Sequence, residues 1–224
     1  MASAALGALG RPGGAEVNSG TLRQTVTGPA GVIECAIDSP PGDARGVAVI
    51  CHPHPQHGGT MDNKVVQTLA RAFVQLGWRS VRFNFRGIGA SQGAWDDGVG
   101  EVEDALAVIA AMRTSGESFM LAGFSFGACV ASHAAARLAE GAKPQRMVLI
   151  GPSTLKQPMA GVPADTVVIH GETDDVVPLA ATLAWARPQS LPVIVFPGVG
   201  HFFHGQLGLL KKTVVQELQP RLPL

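Results

Sequence analysis

The chain has 224 residues, 17 Lys and Arg against 17 Asp and Glu, and only 15% charged residues. A net charge of zero leaves no basic surface for nucleic acid, and no apolar run approaches the length of a membrane span. The length suits one large domain. The three cysteines (Cys35, Cys51 and Cys129) have no framework spacing, so reduced, buried thiols and a cytoplasmic home are expected.

Residues 1–20 are rich in Gly, Ala and Ser and read as a flexible N-terminal segment. They lack the basic n-region of a secretory signal, and their apolar stretch is short and broken by Gly. Residues 21–224 read as a single domain. It opens with an antiparallel hairpin, Thr21–Thr27 and Val32–Asp38 around Gly28-Pro29-Ala30-Gly31. Gly46–Cys51 is a continuous apolar run, as a strand buried on both faces requires. Helix then alternates with strand: Asn63–Leu76 before a capping Gly77, Arg79–Phe83, Val99–Met112, Ser118–Ala122, Ala128–Ala139, Arg146–Ile150 and Thr166–Ile169. Leu179–Ala186, Pro192–Phe196 and Leu209–Gln219 complete the series. This alternation predicts an α/β fold, a mostly parallel, doubly wound sheet of about eight strands with helices on both faces. Ligands of such sheets bind beyond the carboxyl ends of the strands. His52, Ser125, Asp174 and His201 all follow predicted strands directly.

Gly-x-Ser-x-Gly occurs twice in this Gly-rich chain, at Gly89–Gly93 and at Gly123–Gly127. Only the second has a strand before it and a breaker-free helix behind it, the setting of a nucleophile elbow. The first has glycines on both sides and reads as a loop. Ser125 is therefore the candidate nucleophile. Serine attack on a carbonyl needs a base, and a third group to orient that base; behind such an elbow the order is Ser, then Asp or Glu, then His. In His170-Gly171-Glu172-Thr173-Asp174-Asp175, Asp174 is the chosen acid, with Asp175 the alternative. In Gly200-His201-Phe202-Phe203-His204, His201 is the chosen base, with His204 the alternative.

An oxyanion hole takes one N–H from the residue after the nucleophile, here Phe126, and one from the loop after the third strand. In that loop Pro53 and Pro55 have no N–H, which leaves His54 as the nearby donor. A rival reading makes His52, His54, His57 and Asp62 ligands for zinc or non-haem iron. No cofactor is expected on the first reading. Phe124 and Phe202, with Phe126, Phe203 and Trp95, are candidates for an apolar acyl pocket, a place in the core being the alternative for each. Arg86 reads as a brace between loops, and His133 as part of a packed helix face.

Together these residues resemble the α/β-hydrolase superfamily over roughly residues 21–218. His52-Pro53-His54-Pro55, Gly58-Gly59-Thr60-Met61-Asp62-Asn63-Lys64-Val65-Val66 and Phe83-Asn84-Phe85-Arg86-Gly87 look like a small, capless bacterial group within it. The resemblance implies a Ser125–His201–Asp174 triad with a hole at Phe126 and near His54. It also implies no cap domain, since only Gly151 to Asp165 separate the two strands where larger relatives carry one. The expected activity is serine hydrolysis of a carboxylic ester through an acyl-enzyme. A thioesterase or peptidase with the same triad, or a metal-dependent enzyme using the His52/His54/His57 loop, is the alternative. A small acyl compound is the expected partner, and exposed aromatics at an open site would equally suit a homodimer interface.

Overall fold

The computed structural model describes residues 20–155 and 158–219. Apart from Gly20, the segment expected to be flexible lies outside the described residues. The hairpin is formed by β1 (Leu22–Gly28) and β2 (Gly31–Asp38), paired antiparallel in register from Leu22 opposite Ile37 to Gly28 opposite Gly31. The other strands are β3 (Val47–Cys51), β4 (Arg79–Phe83), β5 (Phe119–Phe124), β6 (Arg146–Ile150), β7 (Val167–Gly171) and β8 (Val193–Phe196). They make one eight-stranded sheet in the order β1-β2-β4-β3-β5-β6-β7-β8. From β4 to β8 every pairing is parallel; β2 joins β4 antiparallel.

Among the described residues five α-helices cover the sheet: α1 (Lys64–Gln75), α2 (Val99–Met112), α3 (Phe126–Arg137), α4 (Leu179–Ala186) and α5 (Leu207–Leu218). The period-2 alternation of a strand decides which layer each side chain joins. In β3, Val47, Val49 and Cys51 pack with α2 and α3, while Ala48 and Ile50 pack with α1 and α5. All five residues of β3 are buried, which is why it reads as a continuous apolar run. Local chemistry sets the helix ends. The Asn63 side chain accepts from Val65 N–H at 2.9 Å, and Gly77 at φ 83° follows the end of α1. The Glu101 carboxylate reaches back to Gly98 N–H at 2.8 Å at the start of α2.

Two boundaries differ from expectation at the motif itself. β5 runs on to Phe124, and α3 begins at Phe126, so Ser125 alone forms the turn between them. Cys35 and Cys51 are buried free thiols, and Cys129 is buried as well. Among the described residues no helix is long and apolar enough to cross a membrane.

Candidate active site

Ser125 has φ 56° and ψ −119°, a backbone region that costs a non-Gly residue roughly 1–3 kcal/mol. Its surroundings hold it there. Ser125 N–H donates to Ile150 O at 2.9 Å, and its carbonyl accepts from Ala128 and Ser153 N–H at 3.0 and 3.2 Å. A Cβ at Gly123 would overlap the Gly127 carbonyl, and one at Gly127 would overlap the carbonyls of Cys51 and His52. Both glycines are thus demanded by close approach. The second brings the loop after β3 against the first turn of α3.

Asp174 and His201 lie in the loops after β7 and β8 and meet Ser125 in one chain of hydrogen bonds. Asp174 Oδ1 accepts from Val176 and Val177 N–H at 2.9 and 2.7 Å. Its Oδ2 accepts from His201 Nδ1 at 2.6 Å, and His201 Nε2 lies 3.0 Å from Ser125 Oγ. With Nδ1 donating to a carboxylate, Nε2 keeps its lone pair and faces the hydroxyl as a base. Burial pushes the Asp174 carboxyl up. The bonds from His201 and Val177 and the nearby imidazoles outweigh this and hold it below the usual range. Asp175 and His204, the sequence alternatives, are exposed and take no part in this chain of bonds. The acid and base loops are also joined to each other. Thr173 N–H donates to Val199 O at 3.0 Å, Gly198 N–H donates to the Glu172 carboxylate at 2.8 Å, and a Cβ at Gly171 would overlap Val199 O.

The loop after β3 makes a 3₁₀ turn at Pro55–His57, with the His54 carbonyl accepting from His57 and Gly59 N–H. The His54 ring packs 5.1 Å from Phe126, 4.6 Å from Trp95 and 4.4 Å from His57. His52 has a different job from any considered in the sequence. Its Nδ1 donates to Pro53 O at 2.6 Å and its Nε2 accepts from Phe85 N–H at 3.1 Å. Burial lowers its pKa to about 4 against the pull of the Pro53 carbonyl, so the neutral ring is a brace between two loops. The lone pair a cation would need is already engaged. Among the described residues no group of three or more His, Cys, Asp or Glu is placed to hold a metal ion. Asn84 adds a second brace, accepting from Met61 N–H at 2.9 Å, and Arg86 forks onto buried Asp104 at 2.8 and 3.0 Å.

Phe124 corrects the expectation that it lines a pocket. It is 0% exposed and packs with Met120 and Ala122 in the α1/α5 layer, its ring 4.9 Å behind His201. Phe203 is likewise core. Phe202 is 44% exposed, with its ring 5.0 Å from His201. A cleft of about 540 Å³ beside His201 is lined by Asp175, Val176, Phe202, His204 and Gln206. A larger cleft, about 790 Å³ between Arg45, Arg146 and Gln219, lies at the opposite ends of the strands and contains none of the three hydrogen-bonded residues. Sequence reasoning missed His170, a fully buried imidazole beside Asp174. The only trace of it in the sequence is a polar residue inside an otherwise apolar strand.

A mostly parallel sheet with a strained serine at a strand–helix turn, and a histidine and carboxylate at later strand ends, defines an α/β hydrolase, and among the described residues no helix or strand of a lid lies between β6 and β7. Residues 42–165 match the model of a family described as serine aminopeptidase, S33. The chain is 38% identical to an α/β serine hydrolase homologue from Coxiella burnetii, with 91% of this chain and 100% of that one covered and a TM-score of 0.78. A Xanthomonas campestris protein described as an α/β serine hydrolase without lid is 35% identical, with 94% and 100% covered and a TM-score of 0.82. An uncharacterised Rickettsia prowazekii protein is 41% identical over 107 residues, which are 46% of this chain and 45% of that relative. The chain belongs to the α/β serine hydrolase family.

Proposed function

We propose that the protein hydrolyses carboxylic esters of small acyl compounds through an acyl-enzyme on Ser125. The observation that carries this reading is the Ser125–His201–Asp174 chain of hydrogen bonds at 3.0 and 2.6 Å. His201 Nε2 takes the Ser125 proton as Oγ bonds to the ester carbonyl carbon. Asp174 holds the imidazole in its Nδ1–H tautomer and stabilises the cation that forms. The N–H groups of Phe126, which as the first residue of α3 has no acceptor within the helix, and of His54 stabilise the tetrahedral oxyanion. His201 returns the proton to the leaving alcohol as the carbon–oxygen bond breaks. Water, deprotonated by the same nitrogen, then releases the acid and restores Ser125. Phe202, on the cleft beside His201, contacts the substrate, whereas the Phe126 ring belongs to the core. The β6–β7 connection has no folded cap among the described residues, which supports an ester over an amide, because an open site excludes little water and a more reactive carbonyl depends less on water exclusion. Two buried, unpaired thiols, Cys35 and Cys51, support a reducing compartment, the cytoplasm.

Fluorophosphonate labelling of wild type and Ser125→Ala, with a panel of p-nitrophenyl esters, thioesters and aminoacyl p-nitroanilides, tests this. Labelling and ester turnover are expected in wild type and absent in the variant. A second reading, peptidase, is favoured by the matched family's description. Faster anilide than ester cleavage would establish it.

A further inference from the structure

His170 is placed to act on the acid loop without touching substrate. It lies in β7, fully buried, with both ring nitrogens engaged. Its Nε2 is 2.8 Å from Val177 O and 3.4 Å from Asp174 Oδ2. Both of these are acceptors, so Nε2 carries the proton. Nδ1 therefore accepts, and the buried Thr182 hydroxyl on α4 donates to it at 3.2 Å. Thr182 thus takes up the lone pair that this tautomer leaves on Nδ1. Val177 is held from both sides: its carbonyl by His170, and its N–H by Asp174 Oδ1 at 2.7 Å. Burial favours the neutral ring over the cation, and the nearby His201 adds to this against the pull of Val177 and Asp174.

The geometry points to His170 as a positioning residue: through Val177 and along the edge of Asp174 it holds the carboxylate where His201 needs it, with Thr182 holding the ring by its other nitrogen. This rests on Ser125, Asp174 and His201 acting as the triad. A carboxylate fixed only by its own loop could turn about its side chain; the Nε2–H, by donating to Val177 O, ties that loop to the sheet beneath, with the ring edge 3.4 Å from Asp174 Oδ2. A displacement of Asp174 misaligns His201, which lowers kcat and leaves substrate binding alone.

Two variants at position 170 separate this role from packing. Gln places an amide N–H₂ where Nε2 sits, whereas Leu fills the space with no donor. His170→Leu is expected to lower kcat and the fluorophosphonate labelling rate about 10- to 100-fold with KM unchanged, and His170→Gln to recover most of the loss. A purely structural role would rank Leu equal to or above Gln. If neither variant folds, Thr182 carries the test: Thr182→Val is expected to lower kcat severalfold and Thr182→Ser to restore it. Wild-type kcat and labelling in folded His170→Leu, or in Thr182→Val where His170→Leu does not fold, would overturn the inference while leaving the triad intact. A wild-type protein that neither labels nor turns over esters would instead sink the ester hydrolase reading itself.

Discussion

The same five-letter pattern occurs at two places in this molecule and does two different things. At Gly89–Gly93, Ser91 is buried and its hydroxyl is spent: it donates to Asn84 O at 2.7 Å and accepts from Glu34 N–H at 2.9 Å. At Gly123–Gly127, Ser125 is equally buried but sits at positive φ, and its hydroxyl meets an imidazole. The glycines differ as well. Gly89 and Gly93 take φ of 58° and 90° to turn a loop, whereas Gly123 and Gly127 are there so that backbones can touch. The identity of the residues is shared, and the work each serine can do is set by what the flanking elements leave unbonded.

Substitutions at the two sites should break the pair apart. Ser125→Ala is expected to lower ester turnover by at least about 10³-fold with an unchanged melting temperature. Gly127→Ala should come next, destabilising the fold by about 3 kcal/mol in urea melts, because the new Cβ meets backbone of the loop after β3 that has no room to yield. The two sites also share the His52 brace, whose unfolded pKa near 6.5 falls to about 4 on folding. The unfolded chain therefore takes up the proton first as pH falls. Stability is lost between pH 6.5 and 4, by about 2 kcal/mol at pH 5. Calorimetry should show a smaller fall from pH 7 to pH 5 for His52→Gln, and equal slopes would refute the brace. Ser91→Ala, which strands two buried polar groups, should cost about 1–2 kcal/mol and leave turnover at the wild-type level. The smallest effect is expected from Phe202→Ala, a few-fold rise in KM for bulky acyl groups with little change for acetate, read from a chain-length series.

The fold was legible because strand and helix alternate cleanly and β3 is apolar throughout. Ser125, Asp174 and His201 were legible as residues at strand ends, in an order that a strand–turn–helix serine demands. Phe124 was not legible as core because the apolar run of the strand shows in the sequence only as far as Ala122, before the glycine at 123. Carried on two residues, the alternation Met120, Ala122, Phe124 puts that ring in the α1/α5 layer and not at the surface. The duties of His52 and His170 were not legible, since each depends on which backbone carbonyls and N–H groups the folded sheet brings to the two ring nitrogens. Spacing along the chain holds no record of those partners. Arg86 was legible as a brace, but its partner Asp104, 18 residues on, was not.

The connection from β6 to β7 is pinned where it passes the site. Ser153 N–H meets the Ser125 carbonyl, the Pro158 carbonyl meets the His133 ring, Ala160 N–H meets the Ser132 hydroxyl, and Val162 N–H meets the Gln189 side chain. These bonds tie the described part of the connection to the body of the domain, and an oil–water boundary finds no flap in it to lift. Velocity should then climb smoothly as ester concentration passes its solubility limit, with no jump at the onset of droplets. An acyl group on Ser125 would be open to any small alcohol as well as to water, so added methanol should divert part of the product into methyl ester.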